Sequence, residues 1–146
     1  MPDKIEKSMF RDYDIRGREN KTELNEDTMF LIGRSFGTFL SKRSIKDVVI
    51  GHDMRQTSKT FYDAVIKGLL LSGCNVYKIG PSITPMLYWA QYYFKTKGGV
   101  MITASHNPSG WNGVKLSADY SRTLEKKDIE EVYKEVIEKK FIEESV

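Results

Sequence analysis

Three short strand-like runs, Val48-Val49-Ile50, Val76-Tyr77-Lys78-Ile79 and Gly99-Val100-Met101-Ile102, alternate along the chain with stretches of helical periodicity. An uninterrupted apolar run suits a strand buried on both faces, and strands joined through helices run parallel by crossover connections. The expected architecture is therefore α/β, a three-layer α/β/α sandwich with a mostly parallel (mixed) central sheet. At 146 residues, positions 1–146 fit one domain, long enough to bury roughly two thirds of the unfolded chain's surface.

The intervening patterns place four helices. The first is expected to start near Asn25, with Met29, Ile32, Phe36, Phe39 and Leu40 at helical spacing and with Gly33 and Gly37 letting it lie close to a sheet. Thr57 or Ser58 caps the second, which turns Phe61, Ala64, Val65, Gly68 and Leu69 inward and is closed by Gly73. The third has Thr84 as N-cap and Pro85 at its first position, and runs from Met86 to Phe94. Its stripe of Tyr88, Trp89, Tyr92, Tyr93 and Phe94 reads as core packing. The last is amphipathic, with Leu124, Ile129, Val132 and Val136 inward and Glu130/Lys134 and Glu135/Lys139 pairs on its wet side. Further extended segments are expected around Met9 to Tyr13 and at Val114-Lys115-Leu116. Gly51 to Arg55 reads as a loop, Gly80-Pro81 as a strand breaker, and Phe141 to Val146 as a polar tail.

Charge and cysteine content narrow the function classes. The 23 basic and 20 acidic residues are spread along the chain with no block of like charge, so a nucleic-acid surface is not indicated. The single cysteine, Cys74, excludes a disulfide framework, points to a reducing compartment and reads as a plain buried residue. No leader pattern opens the chain and no apolar stretch is long enough to span a bilayer. The expectation is a soluble, cytoplasmic protein that engages neither nucleic acid nor membrane.

In open α/β sheets ligands bind outside the carboxyl ends of the strands. Three loops meet that condition: the one after Ile50, the one after Ile79, and Thr103-Ala104-Ser105-His106-Asn107-Pro108. Ser105 at a strand's mouth is the residue with most chemical potential, yet a serine hydroxyl must be activated to act as a nucleophile. The Gly-x-Ser-x-Gly elbow is missing, and the only histidines are His52 and His106. His106 is adjacent to Ser105 in sequence, a poor geometry for a Ser–His pair, so a hydrolytic triad is disfavoured. Absence of Gly-x-Gly-x-x-Gly after the first strand likewise disfavours dinucleotide binding. Phosphoryl transfer fits better, because there the protein contributes mainly positioning and positive charge. Arg16, Arg55 and Lys115 could supply that charge; a solvated or structural charge is the alternative for each, weakest for Lys115 in its apolar setting between Val114 and Leu116.

The motifs Phe10-Arg11-Asp12-Tyr13-Asp14-Ile15-Arg16-Gly17, Gly51-His52-Asp53-Met54-Arg55, Thr103 to Pro108 and Asn112-Gly113-Val114-Lys115 together resemble the first domain of the α-D-phosphohexomutases. Within that superfamily the Tyr-Asp-Ile-Arg-Gly opening resembles the phosphomannomutase/phosphoglucomutase branch. The resemblance implies that Ser105 carries a phosphoryl group, exchanged with hexose 1- and 6-phosphates through a bisphosphorylated sugar. It implies Arg16 and Lys115 beside the transferring group, with Lys115 or a neighbour moving the sugar hydroxyl's proton. His106 and Asn107 would shape the serine loop and contact phosphate or sugar, Tyr13 would line the cleft, and Arg55 would contact substrate. A loop-ordering hydrogen bond is the alternative role for His106. Mg²⁺ is implied as cofactor, bridging the phosphate on Ser105 to three aspartates of a second domain. No Asp-x-Asp-x-Asp occurs here, and Asp12-Tyr13-Asp14 offers only two carboxylates. The chain is thus expected to carry the nucleophile, to need the remaining mutase domains in cis or in trans, and to be inactive by itself. The rival expectation is a non-catalytic α/β module that binds phosphate or phosphosugar. A large apolar patch would favour the first, a fully polar exterior the second.

Overall fold

The computed structural model of the chain describes residues 2–143; the end of the expected polar tail, residues 144–146, lies outside them. The elements are β1 (Ile15–Arg18), α1 (Glu26–Ser41), β2 (Asp47–His52), α2 (Ser58–Leu71), β3 (Asn75–Pro81), α3 (Thr84–Phe94), β4 (Gly98–Ile102), β5 (Trp111–Asp119), β6 (Arg122–Thr123) and α4 (Lys126–Glu138). One sheet runs in the order β1-β5-β4-β2-β3, with β6 paired to β5. Strands β4, β2 and β3 are parallel, whereas β5 is antiparallel to both β4 and β1. The result is the expected three-layer α/β/α sandwich with a mixed sheet.

Strand alternation sorts the core into two layers. Val48, Ile50, Val100, Ile102, Val114 and Leu116 face the larger layer, which α1, α2 and α4 fill with Phe36, Phe39, Leu69 and Val132 among others. Val49 and Met101 face the other way and meet Leu87 and Ala90 of α3. The expected α1 cap is present: the Asn25 side chain accepts from Thr28 N. At the far end, Ile142 N donates to Thr38 Oγ1 at 3.1 Å and Phe141 packs against the core, so the tail does not trail away at these positions.

Several expectations are corrected. The glycines of α1 serve a helix and not the sheet: a Cβ on Gly33 would fall 2.4 Å from the Val65 carbonyl oxygen of α2, and one on Gly68 of α2 would fall 2.4 Å from the Phe30 carbonyl oxygen of α1. Of the extended segment expected around Met9 to Tyr13, Met9 ends a 3-10 turn (Lys7–Met9), Phe10 is extended and forms a single antiparallel bridge to Ile15, and the strand itself begins at Ile15. Gly51 and His52 belong to β2, and β3 passes Gly80 (φ 65°) with a register irregularity. The N-cap of α3 is Ile83, one residue before Thr84. Glu135 is buried against Lys42, the C-cap of α1, and Lys134 pairs instead with Glu138 at 3.8 Å.

The largest correction concerns the aromatics of α3. Only Leu87, Ala90 and Gln91 of this helix are buried; Tyr88 alone of the five aromatics packs against that stripe, half-buried, while Trp89 and Tyr93 are 63% and 65% exposed. Because α3 is the one helix packed on its side of the sheet among the described residues, just a narrow stripe of it faces inward. Its rings stack on the surface, Trp89 on Tyr93 at 4.8 Å and Tyr92 on Tyr120 at 4.9 Å.

Cys74 is buried as expected, and burial pushes its thiol pKa up to about 11. At pH 8 this leaves roughly one thiol in a thousand ionised. Alkylation of the native chain by iodoacetamide is expected to be at least ~10-fold slower than that of the urea-unfolded chain, read by mass spectrometry. Equal rates would contradict the buried thiol.

Candidate functional site

Strand β4 ends at Ile102, on the carboxyl edge of the parallel strands, and the chain loops through Thr103 to Gly110 before returning as β5. Ser105 stands exposed in that loop in the left-handed region, φ 54°, although it is not glycine. Its N–H donates to Thr103 Oγ1 at 3.0 Å. The kink also brings Ser105 Oγ within 3.0 Å of His106 Nδ1, so the adjacency that argued against a Ser–His contact does not prevent one. No carboxylate is bonded to His106 among the described residues. His52 lies elsewhere, buried edge-on to Tyr62, with Nδ1 donating to the Asp53 carbonyl at 2.7 Å.

Two guanidinium groups hold the loop. Arg16 of β1 donates through Nη1 to the Ala104 carbonyl at 2.8 Å and to Asn107 Oδ1 at 2.5 Å, while Nε and Nη2 engage the Asp14 carboxylate at 3.0 and 2.9 Å. Asn107 thus fastens the loop through its side chain. Arg55, after β2, donates from Nη1 to the Pro108 and Trp111 carbonyls (3.0 and 3.1 Å) and from Nη2 to those of Ser105 and Asn107 (3.2 and 2.6 Å). Its Nε lies 3.4 Å from Asp53 Oδ2. A guanidinium has five N–H donors. Four of them bond to carbonyls and Nε is ion-paired with Asp53, so in this geometry the Arg55 guanidinium is engaged with the serine loop and its base.

Lys115 takes no part in this bonded cluster. It pairs in register with Met101, two residues past Gly113, which pairs with Arg16. Period-two alternation puts Arg16 and Lys115 on one sheet face, opposite the buried Ile15, Val114 and Leu116. Its neighbours therefore do not supply the apolar setting expected from the sequence; Lys115 is half-buried on the side where α3 covers only β2 and β4. Gly113 leaves room there, since a Cβ would fall 2.3 Å from the Ile15 carbonyl oxygen. Tyr13 is 66% exposed, next in the chain to Asp14.

A supporting network escaped the sequence reading. Asp53 Oδ1 accepts from Arg55 N and Ser58 Oγ, and fully buried Asn112 donates through Nδ2 to Ser58 Oγ and Thr57 Oγ1. Thr57 Oγ1 donates in turn to Glu19. The Thr57 and Ser58 hydroxyls, read as helix caps, are thus committed to joining β1, β2 and β5 beneath the loop. The only signal for this was a polar Asn112 beside Gly113 at the start of a buried strand.

Charge is also less even than the totals suggest. Between Asp63 and Asp119 there is no Asp or Glu, while five lysines, Lys67, Lys78, Lys95, Lys97 and Lys115, fall in that interval. The serine loop lies inside it, and the carboxylates of Asp14, Asp53 and Glu19 close to it are bound to Arg16, Arg55 and Thr57. The surroundings favour an anion.

The same residues do not make a magnesium site. No group of three or more His, Cys, Asp or Glu able to hold a metal occurs among the described residues. Asp14 is taken by Arg16, and Asp12 is an exposed side chain 3.9 Å from Lys126. A hard divalent cation is held through carboxylates, and the described residues gather no free set of them at the loop. Among the described residues, no helix is long and apolar enough to cross a membrane.

Residues 7–143 match the family described as phosphoglucomutase/phosphomannomutase, alpha/beta/alpha domain I. The phosphomannomutase of Escherichia coli (strain K12) is 44% identical over 115 residues, 79% of this chain and 24% of that protein. The phosphomannomutase of Vibrio cholerae is 40% identical over 121 residues, 82% of this chain and 26% of that protein. A phosphoglucomutase/phosphomannomutase family protein from Burkholderia thailandensis superposes with a TM-score of 0.87 at 28% identity, covering 97% of this chain and 32% of its own. The chain spans about a quarter of the length of the curated relatives it matches. A mixed α/β/α sandwich with its serine loop at the carboxyl edge, and a family model matched over residues 7–143, make this chain a member of the phosphoglucomutase/phosphomannomutase family, corresponding to its domain I.

Proposed function

We propose that the chain is the nucleophile-bearing domain of a phosphosugar mutase that interconverts hexose 1- and 6-phosphates. The observation that carries this reading is Ser105: an exposed hydroxyl in a strained backbone conformation, 3.0 Å from an imidazole nitrogen and set on a loop whose carbonyls are gathered by two guanidinium groups. Phospho-Ser105 passes its phosphoryl group to a sugar hydroxyl, giving a bisphosphorylated sugar, and the other phosphate then returns to Ser105 Oγ. As the phosphoryl passes from Ser105 Oγ to the sugar, the sugar hydroxyl's proton goes to Lys115 or a neighbour and His106 Nδ1 protonates the freed Oγ; when the other phosphoryl returns, His106 Nδ1 takes the Ser105 proton back and Lys115 or its neighbour reprotonates the freed sugar oxygen. Arg16 keeps positive charge beside the transferring group, and Asn107 and Tyr13 frame the sugar side. Positioning plus charge is what such a transfer requires of a protein. Magnesium ligands other than the phosphate itself belong, in this reading, to another domain.

The exposed aromatic face of α3 supports a chain that works with further domains and is inactive alone. Incubation with a hexose 1,6-bisphosphate in the presence of the remaining mutase domains and Mg²⁺ is expected to add one phosphate to the chain, mapped by mass spectrometry to Ser105. The mixture is expected to convert hexose 1-phosphate to the 6-phosphate. Conversion without phosphate on Ser105 would sink the proposal. Sugar phosphate binding with neither conversion nor phosphorylation would establish the non-catalytic module instead.

A further inference from the structure

From outside the serine loop, the guanidinium of Arg55 reaches three of its carbonyls, Ser105, Asn107 and Pro108, and that of Trp111 at the start of β5. Ser105 is pinned on both sides: its N–H is held by Thr103 Oγ1 and its carbonyl by Arg55 Nη2. A serine at positive φ is sterically disfavoured and persists only where its surroundings over-determine it. We propose that Arg55 is a positioning residue that holds Ser105 in the left-handed conformation and thereby aims Oγ outward.

The loop receives this constraint from three other elements. Asp53 fixes Arg55 by accepting from its backbone N at 3.1 Å and by standing 3.4 Å from Nε. Ser58 at the start of α2 donates to the same carboxylate, and Asn112 at the start of β5 donates to Ser58 at 3.0 Å. Both ends of the serine loop, the end of β4 and the start of β5, therefore connect through Asp53 and Arg55. A lysine offers three donors from a single atom and cannot span four carbonyls and a carboxylate. Only the planar fork fills this role.

The structural half of this proposal is independent of the chemistry; the link to phosphoryl transfer rests on the reading of Ser105 as the phosphoryl carrier. The test compares the parent chain with Arg55→Lys, which retains charge and loses the fork. A residue at positive φ gives a strong intraresidue amide-to-Hα NOE, and Ser105 of the parent is expected to show it. In Arg55→Lys that NOE is expected to fall to the level of extended residues, with the melting temperature close to that of the parent. The initial rate of phosphate uptake from a hexose 1,6-bisphosphate, with the remaining domains and Mg²⁺ added, is expected to fall at least tenfold. An unchanged NOE overturns the positioning role. So does reduced uptake with the NOE retained, which would make Arg55 a substrate ligand, whereas a lost NOE with undiminished uptake upholds the positioning role and overturns its link to phosphoryl transfer. If the parent takes up no phosphate, the carrier role of Ser105 fails and the NOE alone decides on Arg55. Should Arg55→Lys not fold, Asp53→Asn, which loosens the guanidinium without removing it, is judged by the same readouts.

Discussion

Ser105→Ala is expected to fold like the parent and to take up no phosphate from a hexose 1,6-bisphosphate, whatever domains are added. Loss of an essential nucleophile costs about 10⁴-fold or more in rate, so the variant should sit at the background of the assay. Two features keep that loss from being a folding effect. The side chain is exposed, and its one described partner, His106 Nδ1, is itself a surface group. Alanine at φ 54° also carries much the same backbone strain as serine, so native and variant chains start from similar conformations. Ser105→Gly provides the control: it removes the same hydroxyl but relieves the strain, and should be more stable than Ser105→Ala by roughly 0.5–1 kcal/mol. The two variants should therefore be equally inactive and differ in stability. Phosphate uptake by either one, mapped anywhere in the loop, would remove Ser105 as carrier.

Much of the layer arrangement was legible because burial on both faces leaves a mark in sequence, as in Val48-Val49-Ile50. The serine loop was legible for a related reason: Ser105 follows such a strand directly. The misread parts have physical causes. Strand β1 is four residues long, and the alternation of Ile15 and Gly17 inward against Arg16 and Arg18 outward is too brief to register. The α3 aromatics look like core by composition, but a helix lying alone on its side of a sheet buries only a narrow stripe, here Leu87, Ala90 and Gln91. For Arg55 the charge is visible in sequence, whereas the carbonyls that it gathers are backbone atoms common to every residue, so this second role is not. The bonds of Asp53, Ser58 and Asn112 are illegible for the same reason: they join distant segments, and Ser58 reads only as a helix cap. Gly33 and Gly37 did signal a close approach, and only the partner was wrong.

That partner sets the second large effect. Gly68→Ala is expected to destabilise the fold by about 3 kcal/mol, read as a lower urea midpoint at unchanged slope. Helix propensity alone predicts the opposite sign, since alanine is better than glycine by roughly 1 kcal/mol in a helix interior. Sterics decide against propensity because the obstacles are backbone: the new methyl would stand 2.4 Å from the Phe30 carbonyl oxygen, 2.6 Å from Arg34 N and 2.9 Å from Gly33 C. None of these can turn aside as a flexible side chain would, so α1 and α2 must separate. Separation opens the layer in which Met29, Ile32, Phe36, Val65 and Leu69 are buried, and the lost packing adds to the strain. Gly110→Ala isolates the backbone contribution: φ is 86° there with nothing within 4 Å of the added carbon, so about 1 kcal/mol is the expected cost. If Gly68→Ala were as stable as the parent, the two helices would have to pack farther apart than these distances state, and the layer that backs β2 and β4, and with them the base of the serine loop, would need to be redrawn.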